Sequence, residues 1–206
     1  MDSHPNRPAT IRQTPKRHYL GRWREQLRWA DGLELLIRPI EVIDAGPLRE
    51  GFSKLEPEEV RLRFLHPMTE LTEAYARELC DLDPALAFAL VATEPGEPGS
   101  AAIGGVARLA FDLAKKRAEF AIIVGHQIGG RGIGRLMMQR LIECARKRGM
   151  HAIFGDVLIE NLPMTRLAHA LGFRTQSIGE PGLIRVWKDL RVTTATELGS
   201  GSGLAA

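Results

Sequence analysis

The chain is poor in cysteine, in aromatic residues and in long apolar runs. Its 206 residues include two cysteines, Cys80 and Cys144, in no CxxC or Cys/His metal spacing. A disulfide framework and a thiolate metal site are therefore excluded, and no metal is expected. Both thiols fall in helical patterns and read as small buried side chains, in keeping with a reducing, cytoplasmic compartment. No run of about 18 apolar residues occurs, so no transmembrane helix is expected. The N-terminus lacks the apolar segment and cleavage site of a secretory signal. An organellar transit peptide fits its Arg-rich, acid-poor character but not its prolines and histidines. Net charge is only +3, which singles out no class of polyanion partner.

What is present is the composition of one globular domain with tails: 44% hydrophobic and 26% charged. Residues 1–32 form a basic extension, with Arg7, Arg12, Lys16, Arg17, Arg22, Arg24 and Arg28 against three acids. It reads as a solvated tail or as an arm for nucleic acid or membrane. Pro5, Pro8 and Pro15 predict disorder over 1–17. Leu20, Trp23, Leu27 and Ala30 are spaced for a short amphipathic helix over 18–30. Residues 191–206, rich in Gly and Ser, have linker composition.

Between these tails, residues 33–190 alternate strand and helix patterns. Strands are expected at 34–39, 86–93, 101–109, 117–124, 152–158, 173–178 and 183–189. Helices are expected over 45–55 with Asp44 as cap, 56–65, 72–82, 133–149 and 161–171. The predicted fold is an α/β (α+β mixed-sheet) domain with helices on both faces.

The most informative stretch is residues 118–149. A buried strand, Phe120 to Val124, feeds a turn holding Gly129, Gly130, Gly132 and Gly134, and a helix starts at once. Glycine lets a backbone approach a ligand closely, and the free N–H groups and dipole of a helix start attract an anion. The expected ligand is a phosphate or pyrophosphate. A triphosphate loop needs GK[ST], but Arg135 and Leu136 follow Gly134. A dinucleotide fingerprint fails too, because Arg135 or Met137 stands at its third glycine.

Gly130-Arg131-Gly132-Ile133-Gly134, between a strand and an amphipathic helix, resembles the acyl-CoA pyrophosphate loop of Gcn5-related N-acetyltransferases, written [QR]-x-x-G-x-[GA]. Gly129 stands where Gln or Arg is usual. ENLPMTRLAHALGF at 160–173 resembles the family's later ENxxMxxLYxxLGF helix, with Ala168 at the Tyr position. IRPIEVID, LRFLHPMTELTE, RAEFAIIV and GRGIGRLMMQRLIECAR together resemble the acetyltransferase domain of bacterial Pat-type protein lysine acetyltransferases, over about residues 34–190.

The resemblance implies acetyl-CoA as co-substrate and direct acetyl transfer to an amine. The implied acceptor is a protein lysine, with an acyl-CoA synthetase as one such protein. A small amine, an α-amino terminus, or a non-enzymatic acyl-CoA-binding role are the alternatives. It implies that Gly129, Gly130, Arg131, Gly132, Ile133, Gly134 and Arg135 hold the diphosphate. The backbone at Ile123 and Val124 would hold the pantetheine, and Asn161 would line the cofactor. Glu119, of the RAEF segment, would be the general base; Ala118, Phe120 and Ala121 suggest an apolar setting that would raise its pKa. The bland reading is a carboxylate paired with Arg117 or Arg108. His126 reads as a turn residue, a phosphate contact or a base; His66 as a groove or packing residue; His169 as surface.

Overall fold

The computed structural model of the chain describes residues 16–191. The disorder expected before residue 16 and the linker from 192 lie outside the described residues. Within them, nine strands form one sheet in the order β1-β2-β3-β4-β5-β6-β7-β9-β8. These are β1 (Lys16–Gly21), β2 (Arg24–Arg28), β3 (Glu34–Pro39), β4 (Ala87–Thr93), β5 (Ile103–Asp112), β6 (Arg117–Val124), β7 (Ala152–Leu158), β8 (Arg174–Ser177) and β9 (Leu183–Asp189). Neighbours are antiparallel except β6 and β7, which run parallel. Helices α1 (Ala45–Ser53), α2 (Pro57–Phe64) and α3 (Glu73–Cys80) follow β3, while α4 (Ile133–Lys147) and α5 (Leu162–Ala170) flank β7.

The helices pack on both faces of the sheet, and β4 shows why its sequence is an unbroken apolar run. Leu90 and Ala92 join the core under α4, whereas Ala89 and Val91 join the core under α1–α3. Helix α4 buries Ile133, Met137, Met138, Leu141, Ile142 and Ala145, a stripe at helical spacing. Each such side chain contributes about 1.5–3 kcal/mol by leaving water. Cys80 and Cys144 are buried free thiols, and burial pushes Cys80 up to about 11.

Two expectations are corrected. The helix over 18–30 is an antiparallel hairpin, so the sheet begins inside the stretch read as an extension. Burial there alternates strictly: Glu25, Leu27 and Trp29 are buried, and Arg24, Gln26 and Arg28 are not. The charge at Glu25 hid this period of two. It is accommodated because Arg140 of α4 reaches it at 2.6 Å.

Asp44 does precede α1, but its side chain makes no capping bond to that helix. It is fully buried against the equally buried Arg38 in a bidentate pair of 2.6 and 2.8 Å. It also accepts the N–H groups of Glu41 and Gly99. Burial pulls the Asp44 carboxyl up, but Arg38 and the two amides outweigh it and hold it below the usual range. A lowered folded-state pKa gives stability that is present above the unfolded value near 4 and lost as pH falls through the folded one. Asp44→Ala strands a buried guanidinium and should cost about 3–5 kcal/mol. Urea unfolding at pH 7 measures this; a loss below about 1 kcal/mol would contradict the role given to the pair.

Candidate active site

Strands β6 and β7 pair over Arg117–Glu119 and Ala152–Phe154, then part. Beyond that point β6 runs on to Val124 and β7 to Leu158 with a gap between them. Gly125 N–H donates to Gly104 O at 2.9 Å, and Val124 lies opposite Gly105. Antiparallel alternation therefore commits the peptide groups of Ile123 to Val106 and turns those of Ile122 and Val124 into the gap. Val124 thus faces the gap as expected, whereas Ile123 does not; Ile122 takes its place. Pattern reading named the strand end without counting the ladder.

The loop after β6 turns through Gly125–Gly132. Ile128 N–H bonds to Gly125 O and Gly129 N–H to His126 O. Gly129 is thereby spent on a turn and drops from the expected amide set. Gly130 and Gly132 have φ of +74° and +83°, which side chains rarely adopt. The first bond into α4 runs from Leu136 N–H to Gly132 O. Among the described residues, no acceptor in the protein meets the amides of Gly130, Arg131, Gly132, Ile133, Gly134 and Arg135. Six free N–H groups at the positive end of a 15-residue helix form an anion cradle.

The cradle is braced. Arg131 forms an ion pair with Asp31 in the β2–β3 turn, so its amide but not its side chain is available. That contact lowers the Asp31 carboxyl, with help from Leu33 N–H. Glu59 of α2 accepts His126 N–H at 2.7 Å and lies 3.1 Å from its Nδ1, which makes His126 a bracing residue. Gln127 donates to Lys54 O. Ile128 fills the space over Gly104, where an added Cβ would stand 2.7 Å away.

Three cavities meet here. A narrow cleft lies between Ile122–Val124 on one side and Asn161, Met164 and Leu167 on the other. Asn161 caps α5, its side-chain oxygen accepting Met164 N–H at 3.1 Å. Across the cleft Arg61 reaches Glu160 at 2.5 Å. A wider groove of about 910 Å³ adjoins it, lined by Glu119, His66, Tyr75 and Asp156 among others. A third cavity, apolar like the cleft, lies under α1–α3. Arg63 lines all three.

Glu119 is exposed to the groove rather than set among apolar groups, which corrects the expected environment. It is not paired with Arg117 or Arg108 either: Arg117 lies 3.7 Å from Asp112, and Arg108 donates to Leu79 O. Asp156 is held by Arg185 through two 2.7 Å bonds. His66 bonds Pro67 O at the groove, and His169 bonds Thr175 on the surface. Ala168 is fully buried in the core. Arg63, Tyr75 and Asp156 were not singled out from sequence; they come from three distant segments, and no local motif links them.

The chain belongs to the acetyltransferase (GNAT) family, whose family model matches residues 52–173. It is 30% identical over 153 residues to an acetyltransferase of Pseudomonas aeruginosa, covering 73% of this chain and 80% of the relative. Its fold is similar to the GNAT domain of S. lividans PAT, at TM-score 0.73 and 24% identity, covering 84% of this chain and 99% of that one. It is also similar to a Salmonella typhimurium protein solved with its cofactor acetyl-CoA, at TM-score 0.58 and 22% identity, covering 76% of this chain and 94% of that one. The protein is an acyl-CoA-dependent N-acetyltransferase, and acetyl-CoA is its co-substrate. Among the described residues, no cluster of His, Cys, Asp or Glu could hold a metal.

Gly132 has open space around an added Cβ, so a side chain there clashes with no protein atom, although its φ of +83° also strains any side chain. Gly132→Glu should weaken coenzyme A binding at least about tenfold, by crowding and by charge against phosphate. Calorimetric titration checks this; unchanged affinity would remove the loop from the diphosphate site.

Proposed function

We propose that the acceptor is a protein lysine ε-amine and that Glu119 is its general base. The observation that carries this is a free carboxylate on β6, unpaired among the described residues, opening into a wide groove beside the narrow cleft. The groove's rim carries the exposed apolar side chains of Leu65 and Tyr75, which suit a polypeptide acceptor. Leu65 holds φ of +64°, a strained conformation for a branched residue. The resemblance to Pat-type domains and the fold shared with S. lividans PAT support the same reading.

A lysine of ordinary pKa, about 10.4, must give up a proton at a cost of about 4–5 kcal/mol at pH 7. Glu119 accepts it, directly or through one water. The amine nitrogen then attacks the thioester carbonyl carbon. The C–N bond forms, the C–S bond breaks, and coenzyme A leaves as a thiolate, which takes up the second nitrogen proton directly or through solvent. A free thiol has a pKa of about 8.5, so this leaving group needs no general acid, and Ala168 at the Tyr position is tolerated. Val124 N–H, unspent in the sheet, polarises the thioester oxygen. The amides of Gly130 to Arg135 hold the diphosphate, with Ile122 and Asn161 along the pantetheine.

Glu119→Gln should cut turnover by about 10²–10⁴ while acyl-CoA still binds. Wild-type rates in that variant remove Glu119 from the chemistry. Transfer of labelled acetyl to acyl-CoA synthetases, set against polyamines and aminoglycosides, tests the acceptor. Label on small amines with none on protein would replace the lysine reading with a small-molecule one.

A further inference from the structure

Among the described residues, Arg63 is a cation with no carboxylate in an ion pair with it. It sits in the last turn of α2, where the cleft, the groove and the apolar cavity meet. Among the described residues, no hydrogen bond or ion pair engages its guanidinium, which stacks 4.7 Å from the centroid of the Phe64 ring. Behind it, Arg108 of β5 donates to Leu79 O at 2.7 Å and, among the described residues, forms no ion pair, although Glu78 bears on it electrostatically. Burial, then the charge of Arg108, pushes Arg63 down to about 10, so it remains cationic at neutral pH. Glu119, across the groove, bears on it electrostatically without forming an ion pair.

Three other sheltered arginines are closely matched with acids: Arg38 with Asp44, Arg140 with Glu25, Arg185 with Asp156. Two neighbouring half-buried cations without such a match are costly, and a fork of guanidinium donors is shaped for a carboxylate. The diphosphate has its own amides at the loop. Arg63 also borders the groove that holds Glu119, so the anion it awaits belongs to the acceptor.

We propose that Arg63, backed by Arg108, is a carboxylate subsite for the acceptor, so that the preferred acceptor bears a carboxylate beside its reacting amine. This rests on the acyl-transfer reading of the groove. The carboxylate has two possible sources: an Asp or Glu side chain next to a lysine in a polypeptide, or the α-carboxylate of a small amino acid whose side chain enters the apolar cavity.

The experiment compares kcat/KM within two acceptor pairs, at equal concentrations of free amine. One pair is a lysine peptide flanked by Glu against the same peptide flanked by Gln; the other is leucine against leucinamide. In the wild-type protein the carboxylate member of one pair should be favoured about 10- to 100-fold, and that pair identifies the source. Arg63→Gln should bring the ratio toward one while acetyl-CoA still binds. Transfer without preference in either pair overturns the subsite and leaves the acyltransferase reading standing. A change in acetyl-CoA affinity, with the acceptor ratio intact, assigns Arg63 to the cofactor and also overturns it. No transfer to any of the four overturns both readings. The wild-type ratios decide the matter even if the variant fails to fold.

Discussion

Two parallel strands that pair for three residues and then diverge leave main-chain amides without acceptors in the middle of a sheet. Buried N–H groups are almost always satisfied, so such a gap is a place for a ligand with its own acceptors. The rest of the site follows from it. Ile122 and Val124 offer amides along the gap, and the next turn of chain offers six more at the head of α4. A pantetheine arm ending in a diphosphate presents acceptors in that order. The glycines that matter are those whose φ is positive, Gly130 and Gly132, because the loop cannot otherwise turn its N–H groups outward.

The hairpin at the start of the described residues serves this arrangement. It contacts α4 and its loop at three levels: Asp31 pairs with Arg131, Glu25 with Arg140, and the Trp23 ring lies 5.1 Å from the Lys147 ammonium. Leu27 and Trp29 bury beneath the same face. On the other side, Glu59 holds the His126 backbone N–H, and the Lys54 carbonyl holds the Gln127 side chain. The cradle is thus fixed from both faces of the sheet before any cofactor arrives, which lowers the ordering cost of binding.

The loop, the strand carrying Glu119 and the long helix α4 were legible in the sequence, because glycine spacing and period-3.6 burial are local signals. Three things were not. The hairpin was read as a helix because Leu20, Trp23, Leu27 and Ala30 also fit helical spacing, and buried Glu25 broke the apolar alternation. Asp44 looked like a cap because its partner Arg38 lies on the preceding strand and Gly99 lies 55 residues away, beyond any local pattern. Arg63 was passed over because its unusual property is the lack of an ion-pair partner among the described residues, which only the packing of α2 against β6 displays. The amides of Gly129 and Ile123 are spent in a turn and a ladder, and sequence does not record where a main-chain amide is spent.

The central claim, that free amides between the parted strands and at the head of α4 grip the cofactor, is tested most directly by hydrogen exchange of the main chain with and without coenzyme A. Protection should rise at Ile122, Val124 and Gly130 to Arg135, with little change at Ile123 or Gly129, whose amides are already bonded. Protection spread evenly over the domain, or absent from the loop, would contradict the account.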